Sequence, residues 1–354
     1  RESCSTPSSR SSKPCDDRLF MPWNIGVTDY VRPPFDLEQA VFGADTDLVD
    51  LGWETGVVRD LEAVRGLDAL LVWHATIDEE VADAVERCQV VVRYGVGVDN
   101  IDLEALDRRG IVVCNTPAYG VEEVADTTLA LIMSLHRGIY RYDEASRWYE
   151  SGWQEHVLET STRASDTTVG VIGLGRIGSS VILRLNAVGY RVVGFDPYVP
   201  VGIEKVLGCA RMGSLEDLRR EADIVTLHCT LTKETKGMID SAFLAGMRPE
   251  AILVNTARGG LLRSLDDLEQ ALRSGHLAAA GLDVLPEEPP PECSLIRDWR
   301  RRERWLRGRL ILTPHTAFYS AASWSEMRRS AAETARQVLD GGVARHVVRP
   351  TASE

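Results

Sequence analysis

Three ionisable residues in the second half of the chain have types and settings that suit chemistry. They are Arg258 in Asn255-Thr-Ala-Arg-Gly-Gly260, Glu288 in Leu282-Asp-Val-Leu-Pro-Glu-Glu-Pro289, and His315 in Thr313-Pro-His-Thr-Ala-Phe-Tyr-Ser320. Each follows a short apolar run of the kind that forms a buried parallel strand, and ligands of open α/β sheets bind outside the carboxyl ends of such strands. An arginine offers a rigid fork of donors for a carboxylate and a carbonyl oxygen. A histidine can give a proton to that oxygen and take it back. A glutamate beside it can hold the imidazole and favour its charged form. Taken singly, each has a plainer explanation: a surface ion pair, a capping or core histidine, and a solvated turn rich in Pro and Glu.

A fourth motif gives the set a direction. Thr168-Val-Gly-Val-Ile-Gly173-Leu-Gly175-Arg176-Ile177-Gly178 places G-x-G-x-x-G after an apolar strand and at the start of a helical pattern. The next strand, Arg191 to Phe195, ends in Asp196, at the distance expected for an acid that binds a ribose. In this arrangement Gly173 makes the tight turn, Gly175 lets the backbone approach a diphosphate, and Gly178 lets the helix pack on the strand. The diphosphate sits on the positive helix end. A carboxylate at Asp196 accepts bonds from ribose hydroxyls and repels a 2'-phosphate, so NAD is expected rather than NADP.

The elements that must position these residues read as two α/β series. The first has strands at Asn24 to Thr28, Ala69 to Trp73, Val90 to Arg93 and Ile111 to Cys114, with helical patterns at Asp78 to Arg87 and Asp102 to Arg108. The second has strands at Thr168 to Ile172, Arg191 to Phe195, Asp223 to His228, Ala251 to Asn255, Ala278 to Asp283 and Leu310 to Leu312. Strand and helix alternation at this spacing predicts parallel sheets covered on both faces, an α/β fold of two doubly wound domains. Val121 to Arg137 reads as one long helix linking them, and Ser320 to Asp340 as a final helix stopped by Gly341 and Gly342. The aromatic stretch Tyr140, Tyr142, Trp148, Tyr149 and Trp153 has no place in either sheet. It is read as a surface helix or, preferably, a subunit contact, which leads us to expect a homodimer.

The 354 residues, 44% of them hydrophobic, suffice for two cores. A formal net charge of -13 argues against direct nucleic-acid binding. The seven cysteines form no CxxC pair and no metal-ligand spacing, so neither disulfides nor a metal is expected, which suits a cytoplasmic protein. No apolar run approaches the length of a membrane helix, so no membrane partner is expected. Residues 1–20, rich in Ser, Pro and charge, read as a disordered leader; Glu2, Asp16 and Asp17 count against a transit peptide.

Taken together, the glycine fingerprint, Asn-Thr-Ala-Arg-Gly-Gly, Leu-Asp-Val followed by Glu-Pro, and Thr-Pro-His resemble the D-isomer-specific 2-hydroxyacid dehydrogenases, over about Trp23 to Val348. His315-Thr-Ala-Phe-Tyr-Ser320 with Glu326-Met327-Arg328 is most similar to the branch holding the C-terminal binding proteins and their bacterial relatives. The resemblance implies Rossmann-like and flavodoxin-like domains: residues 21–117 with 317–354 binding substrate, residues 118–316 binding NAD, and an active site in the cleft between them. It implies a catalytic set of Arg258, Glu288 and His315, Glu288 being favoured over Glu287 because it directly precedes Pro. It further implies that Arg93, Tyr94, Gly95, Val96 and Gly97, followed by Asp99 and Asn100, grip a substrate carboxylate through backbone N–H groups. Cys229, Thr230, Thr256, Ala257 and Asp283 would line the nicotinamide side. The implied substrate is a small anionic 2-oxo or 2-hydroxy acid; a second reading is an NAD-sensing scaffold like the corepressors of that branch. Two departures bear on the substrate: Phe318 stands where those corepressors have Trp, and Cys293 to Arg309 reads as a long Arg-rich loop.

Overall fold

The computed structural model describes residues 23–54, 59–149, 153–158 and 161–350. The expected leader, residues 1–20, lies outside them.

Among the described residues twelve strands form two sheets, and every pairing in both is parallel. The first sheet contains β1 (Asn24–Val27), β2 (Asp47–Asp50), β3 (Ala69–Val72), β4 (Val90–Arg93) and β5 (Val112–Cys114), in the order β2-β1-β3-β4-β5. The second contains β6 (Thr168–Ile172), β7 (Arg191–Phe195), β8 (Ala210–Arg211), β9 (Ile224–Leu227), β10 (Ala251–Asn255), β11 (Leu277–Leu282) and β12 (Leu310–Leu312). Its order is β12-β11-β10-β9-β6-β7-β8. These are the flavodoxin-like and Rossmann-like orders, and in each the direction of winding reverses beside the first strand of the sheet.

The central strands are buried along their whole length because both sheet faces are covered. β3, β4, β6, β9 and β10 carry no exposed residue, which is why they read as continuous apolar runs. Two strands were not legible. β2 is bounded by exposed Asp47 and Asp50, and β8 has two residues; both are sheet edges, where one side meets water and the apolar signal disappears.

The linking helix is Val121–His136, and Ser320 caps the final helix Ala321–Leu339 through a reciprocal bond with Ser323. That final helix returns to the first sheet, burying Met327, Ala331, Ala332, Ala335 and Leu339 against Ile25, Leu71 and Val92. The segment expected as an Arg-rich loop holds a helix, Ser294–Arg300, whose Leu295 and Ile296 are buried. The segment is tied down at its end: Arg309 donates to the carbonyls of Leu272, Leu277, Ala278 and Trp305, and the Trp305 ring lies 4.0 Å from the guanidinium of Arg273, outside the segment. Dense positive charge hid the helical spacing of its apolar residues. Among the described residues no helix is long and apolar enough to cross a membrane, and no group of three or more His, Cys, Asp or Glu could hold a metal ion.

One buried ion pair ties the final helix to the first sheet. Arg328 donates to both oxygens of Glu38, at 2.8 and 2.5 Å, and the Tyr94 hydroxyl donates to the same carboxylate at 2.9 Å. Glu38 has no exposed side-chain area. Removing one member of such a pair leaves a buried charge alone, so Arg328→Met is expected to lower stability by about 3–5 kcal/mol in urea unfolding. The double variant Glu38→Gln with Arg328→Met should recover most of that loss; an unchanged midpoint for the single variant would show the pair to be dispensable.

Candidate active site

The glycine fingerprint forms the turn from β6 into the helix Arg176–Ala187. A Cβ at Gly178 would stand 1.9 Å from the Gly173 carbonyl oxygen, so only glycine permits the turn to close against the helix. At Gly175 an added Cβ would meet nothing within 4 Å, which leaves open space in front of the loop. Gly175 is also the N-cap and supplies no side-chain acceptor, so the first-turn N–H groups of Arg176, Ile177 and Gly178 are left for a ligand's anionic oxygens. Asp196 at the end of β7 accepts from Leu174 N at 2.9 Å and from Tyr198 N at 2.8 Å, one bond to each oxygen. Each oxygen keeps a lone pair for a ribose hydroxyl. The loop and acid therefore fit a dinucleotide.

Three further loops leave the carboxyl ends of β10, β11 and β12 beside this crevice. After β10, buried Asn255 binds its own turn, donating to Arg258 O at 2.9 Å and accepting from Ala257 N at 3.0 Å. Thr256 is held from behind by Thr128 of the linking helix, hydroxyl to hydroxyl at 2.8 Å. Cys229, after β9, is largely buried, and that burial pushes its thiol up to about 11, while Thr230 is exposed.

After β11 comes Asp283, 1% exposed. Its carboxylate accepts from Thr313 Oγ1 at 2.6 Å and from Thr316 N and Ala317 N at 2.9 Å each, and its carbonyl accepts His315 N at 2.8 Å. The side chain expected on the nicotinamide side is thus spent on the loop that carries His315. That loop is strained: His315 has φ +54, a left-handed conformation rare for residues with a Cβ, and Asp283 supplies the bonds that hold it. His315 Nδ1 meets Glu288 Oε2 at 2.8 Å, and Glu288 Oε1 accepts Leu285 N at 2.9 Å. Burial pushes the Glu288 carboxyl up, but the bond and charge from His315 and the Leu285 N–H outweigh it and hold it below its usual range. With Nδ1 turned to Glu288, Nε2 is the nitrogen left for a substrate.

The opposite wall comes from the first sheet. Arg258 Nε reaches across to Asp99 at 3.1 Å, and its Nη2 stands where a Cβ of Gly97 would be, 1.9 Å away. The loop Arg93 to Gly97 departs in part from expectation. Tyr94 turns its ring into the core, its N–H goes to Val72 O at 2.7 Å, and Gly95 N is taken by Thr116 Oγ1 at 2.6 Å. The N–H groups of Val96 and Gly97 are the ones left to meet a ligand. The sequence reading placed all five residues at the substrate because a motif does not show which N–H groups the neighbouring strand consumes.

Sequence reasoning passed over His74, whose ring lies 6.1 Å from that of His315 across the cleft. It follows β3, in a segment fixed by buried Asp29, whose carboxylate accepts Trp73 N at 3.1 Å, His74 N at 2.7 Å and Ala75 N at 3.1 Å. Burial and the nearby cations Arg93 and His315 pull the His74 imidazole down to about 4. Only the docking of the two sheets brings it to the site, and no local spacing signals that.

Fold and crevice define a two-sheet dinucleotide-binding protein with a His315–Glu288 pair and Arg258 at its cleft, and comparison with known proteins supplies the family. Residues 129–317 match the model for the D-isomer specific 2-hydroxyacid dehydrogenase, NAD binding domain. The chain belongs to the D-isomer specific 2-hydroxyacid dehydrogenase family, and its Rossmann-like domain binds NAD. It is 37% identical over 331 residues to a D-3-phosphoglycerate dehydrogenase of Mycobacterium leprae, covering 89% of this chain and 60% of that protein. The corresponding Mycobacterium tuberculosis protein is 38% identical over 298 residues, covering 83% and 54%. The chain thus spans little more than half the length of these curated relatives. Among solved structures, the TT0316 protein of Thermus thermophilus superposes with a TM-score of 0.77 at 32% identity, over 92% of this chain and 99% of that one. A D-lactate dehydrogenase from Aquifex aeolicus, complexed with NAD and lactic acid, gives 0.78 at 27% identity, over 90% and 96%.

The two glycines separate folding from cofactor binding. Gly175→Ala should keep the melting temperature within a few degrees and weaken NADH binding, read by fluorescence titration, by roughly tenfold or more. Gly178→Ala should lower the melting temperature itself, because its Cβ collides with backbone. Equal behaviour of the two variants would contradict this division.

Proposed function

We propose that the chain is an NAD-dependent oxidoreductase interconverting a 2-oxo acid and its D-2-hydroxy acid, with Arg258, Glu288 and His315 as the catalytic set. The observation that carries this reading is the convergence, beside the dinucleotide crevice, of the His315–Glu288 pair at 2.8 Å with Arg258, which bridges to Asp99 of the other sheet. In this reading residues 21–117 with 317–354 form the substrate-binding domain, residues 118–316 form the NAD-binding domain, and the enzyme works in the cytoplasm. The names of its relatives, D-3-phosphoglycerate and D-lactate dehydrogenase, support the reaction class.

NADH held by the glycine loop and Asp196 would supply a hydride to the carbonyl carbon. Arg258 and the N–H groups of Val96 and Gly97 hold the carboxylate and so fix the orientation of the carbonyl. His315 Nε2 gives its proton to the carbonyl oxygen as the hydride arrives, so no free alkoxide forms; in oxidation the same nitrogen takes the proton back. Glu288 holds the ring by Nδ1 and stabilises its positive charge. Asp283 acts through the loop, as a positioning residue.

His315→Gln is expected to leave NADH affinity nearly intact while lowering kcat by about 100-fold or more. Arg258→Gln should raise KM as well as lower kcat, since it removes a contact present in both ground and transition states. Glu288→Gln should lower kcat while leaving NADH affinity nearly intact, because the ring loses the carboxylate that holds it by Nδ1. Near-normal kcat in His315→Gln on the best 2-oxo acid would remove the assignment.

We also propose that two copies of the chain associate. The helix Ile139–Trp148 and the residues after it leave Tyr140, Tyr149 and Trp153 exposed at 49%, 65% and 76%, aromatic residues of the kind enriched at subunit contacts. Light scattering at micromolar concentration is expected to give twice the chain mass; the chain mass alone would exclude the dimer.

A further inference from the structure

Arg93 is the least compensated charge in the cleft. It is 8% exposed, its Nη1 donates to Tyr94 O at 2.6 Å, and its Nε is buried with no partner. Among the described residues no carboxylate lies within ion-pairing distance of it, and its guanidinium stands 5.6 Å from the centre of the Trp73 ring. A buried cation without a counter-ion is costly, so the site is built to receive an anion. The other cleft cations are already matched: Arg258 by Asp99, His315 by Glu288. The cleft therefore offers one positive charge with no carboxylate in direct contact: its side-chain neighbour is the Tyr119 hydroxyl, and Asp99, bridged to Arg258, and Asp29, spent on loop N–H groups, act on it only from a distance. His74, depressed to about 4, stays neutral near pH 7 and adds none.

Around that charge the walls are rings. Phe318 lies 5.6 Å from Trp73, 5.8 Å from Tyr119 and 6.5 Å from His315. His74 stands between His315 at 6.1 Å and Tyr30 at 5.2 Å. These separations are those of offset and edge-to-face ring packing, and a further flat ring would continue the arrangement.

We propose that the preferred substrate is a singly charged 2-oxo acid with an aromatic side group. Its carboxylate lies between Arg258 and the unmatched charge of Arg93, on the N–H groups of Val96 and Gly97, and its ring lies against Phe318, His74 and Tyr119. This rests on the dehydrogenase reading above. A methyl side group leaves the aromatic wall wet. A phosphorylated side group brings about two further negative charges to electron-rich ring faces where no further cation waits.

The test compares phenylpyruvate, pyruvate and phosphohydroxypyruvate as substrates of the full chain with NADH. The expected kcat/KM for phenylpyruvate exceeds that for pyruvate by about tenfold or more, mostly through KM, with phosphohydroxypyruvate last. Phe318→Leu should reduce the phenylpyruvate-to-pyruvate ratio severalfold. Phenylpyruvate should also raise the melting temperature of the NADH-loaded protein more than equimolar pyruvate, a readout independent of turnover. A panel led by pyruvate or phosphohydroxypyruvate overturns the aromatic assignment and leaves the dehydrogenase reading standing. Turnover of none of the three, or of any other 2-oxo acid, overturns both.

Discussion

Two buried carboxylates organise this site, and neither is placed to touch the substrate. Asp29 and Asp283 each follow a strand, one in each sheet, and each takes the N–H groups of a loop that carries a histidine into the cleft. A peptide N–H loses its strand partner where a sheet ends, and leaving it buried and unpaired costs about 1–3 kcal/mol. A carboxylate is the acceptor that can satisfy several such donors at once, and its own charge is stabilised by their dipoles. The same bonds that remove this cost fix where His74 and His315 point. Fold stability and site geometry are here one set of interactions.

The sheets then determine what can meet. In both, the strands run parallel, so every loop bearing a candidate residue emerges at the carboxyl edge. The two edges face each other, which sets Arg258 against Asp99 and Gly97, and His315 against His74. The final helix makes this possible by crossing back after His315: Phe318 and Trp324 pack on Trp73, and Arg328 reaches Glu38 beneath Tyr94. The segment that presents His315 to the crevice therefore continues directly into the core of the opposite sheet.

Most of this order was legible where physics leaves a local mark. Central strands buried on both faces read as apolar runs, and β4, β6, β7, β10 and β12 have the expected bounds. The glycine loop reads because close backbone approach excludes other residue types, and the placing of Arg258, Glu288 and His315 at one edge reads because each follows a strand. What did not read lacks such a mark. Edge strands β2 and β8 carry polar residues. His74 and Asp29 matter through partners more than 40 residues away in sequence. Tyr94, expected at the substrate, faces the core because the side chain after Arg93 alternates to the other side of the sheet.

The bridge between Arg258 and Asp99 also bears on how the cleft opens. Asp99 is 47% exposed, and an ion pair of this kind contributes roughly 0–1 kcal/mol. Separating the two walls at that point therefore costs little, and this pair is no latch. A ligand anion touching both walls would favour their approach by the difference in its affinity for the two arrangements, so its charge and reach would count for more than the bridge itself.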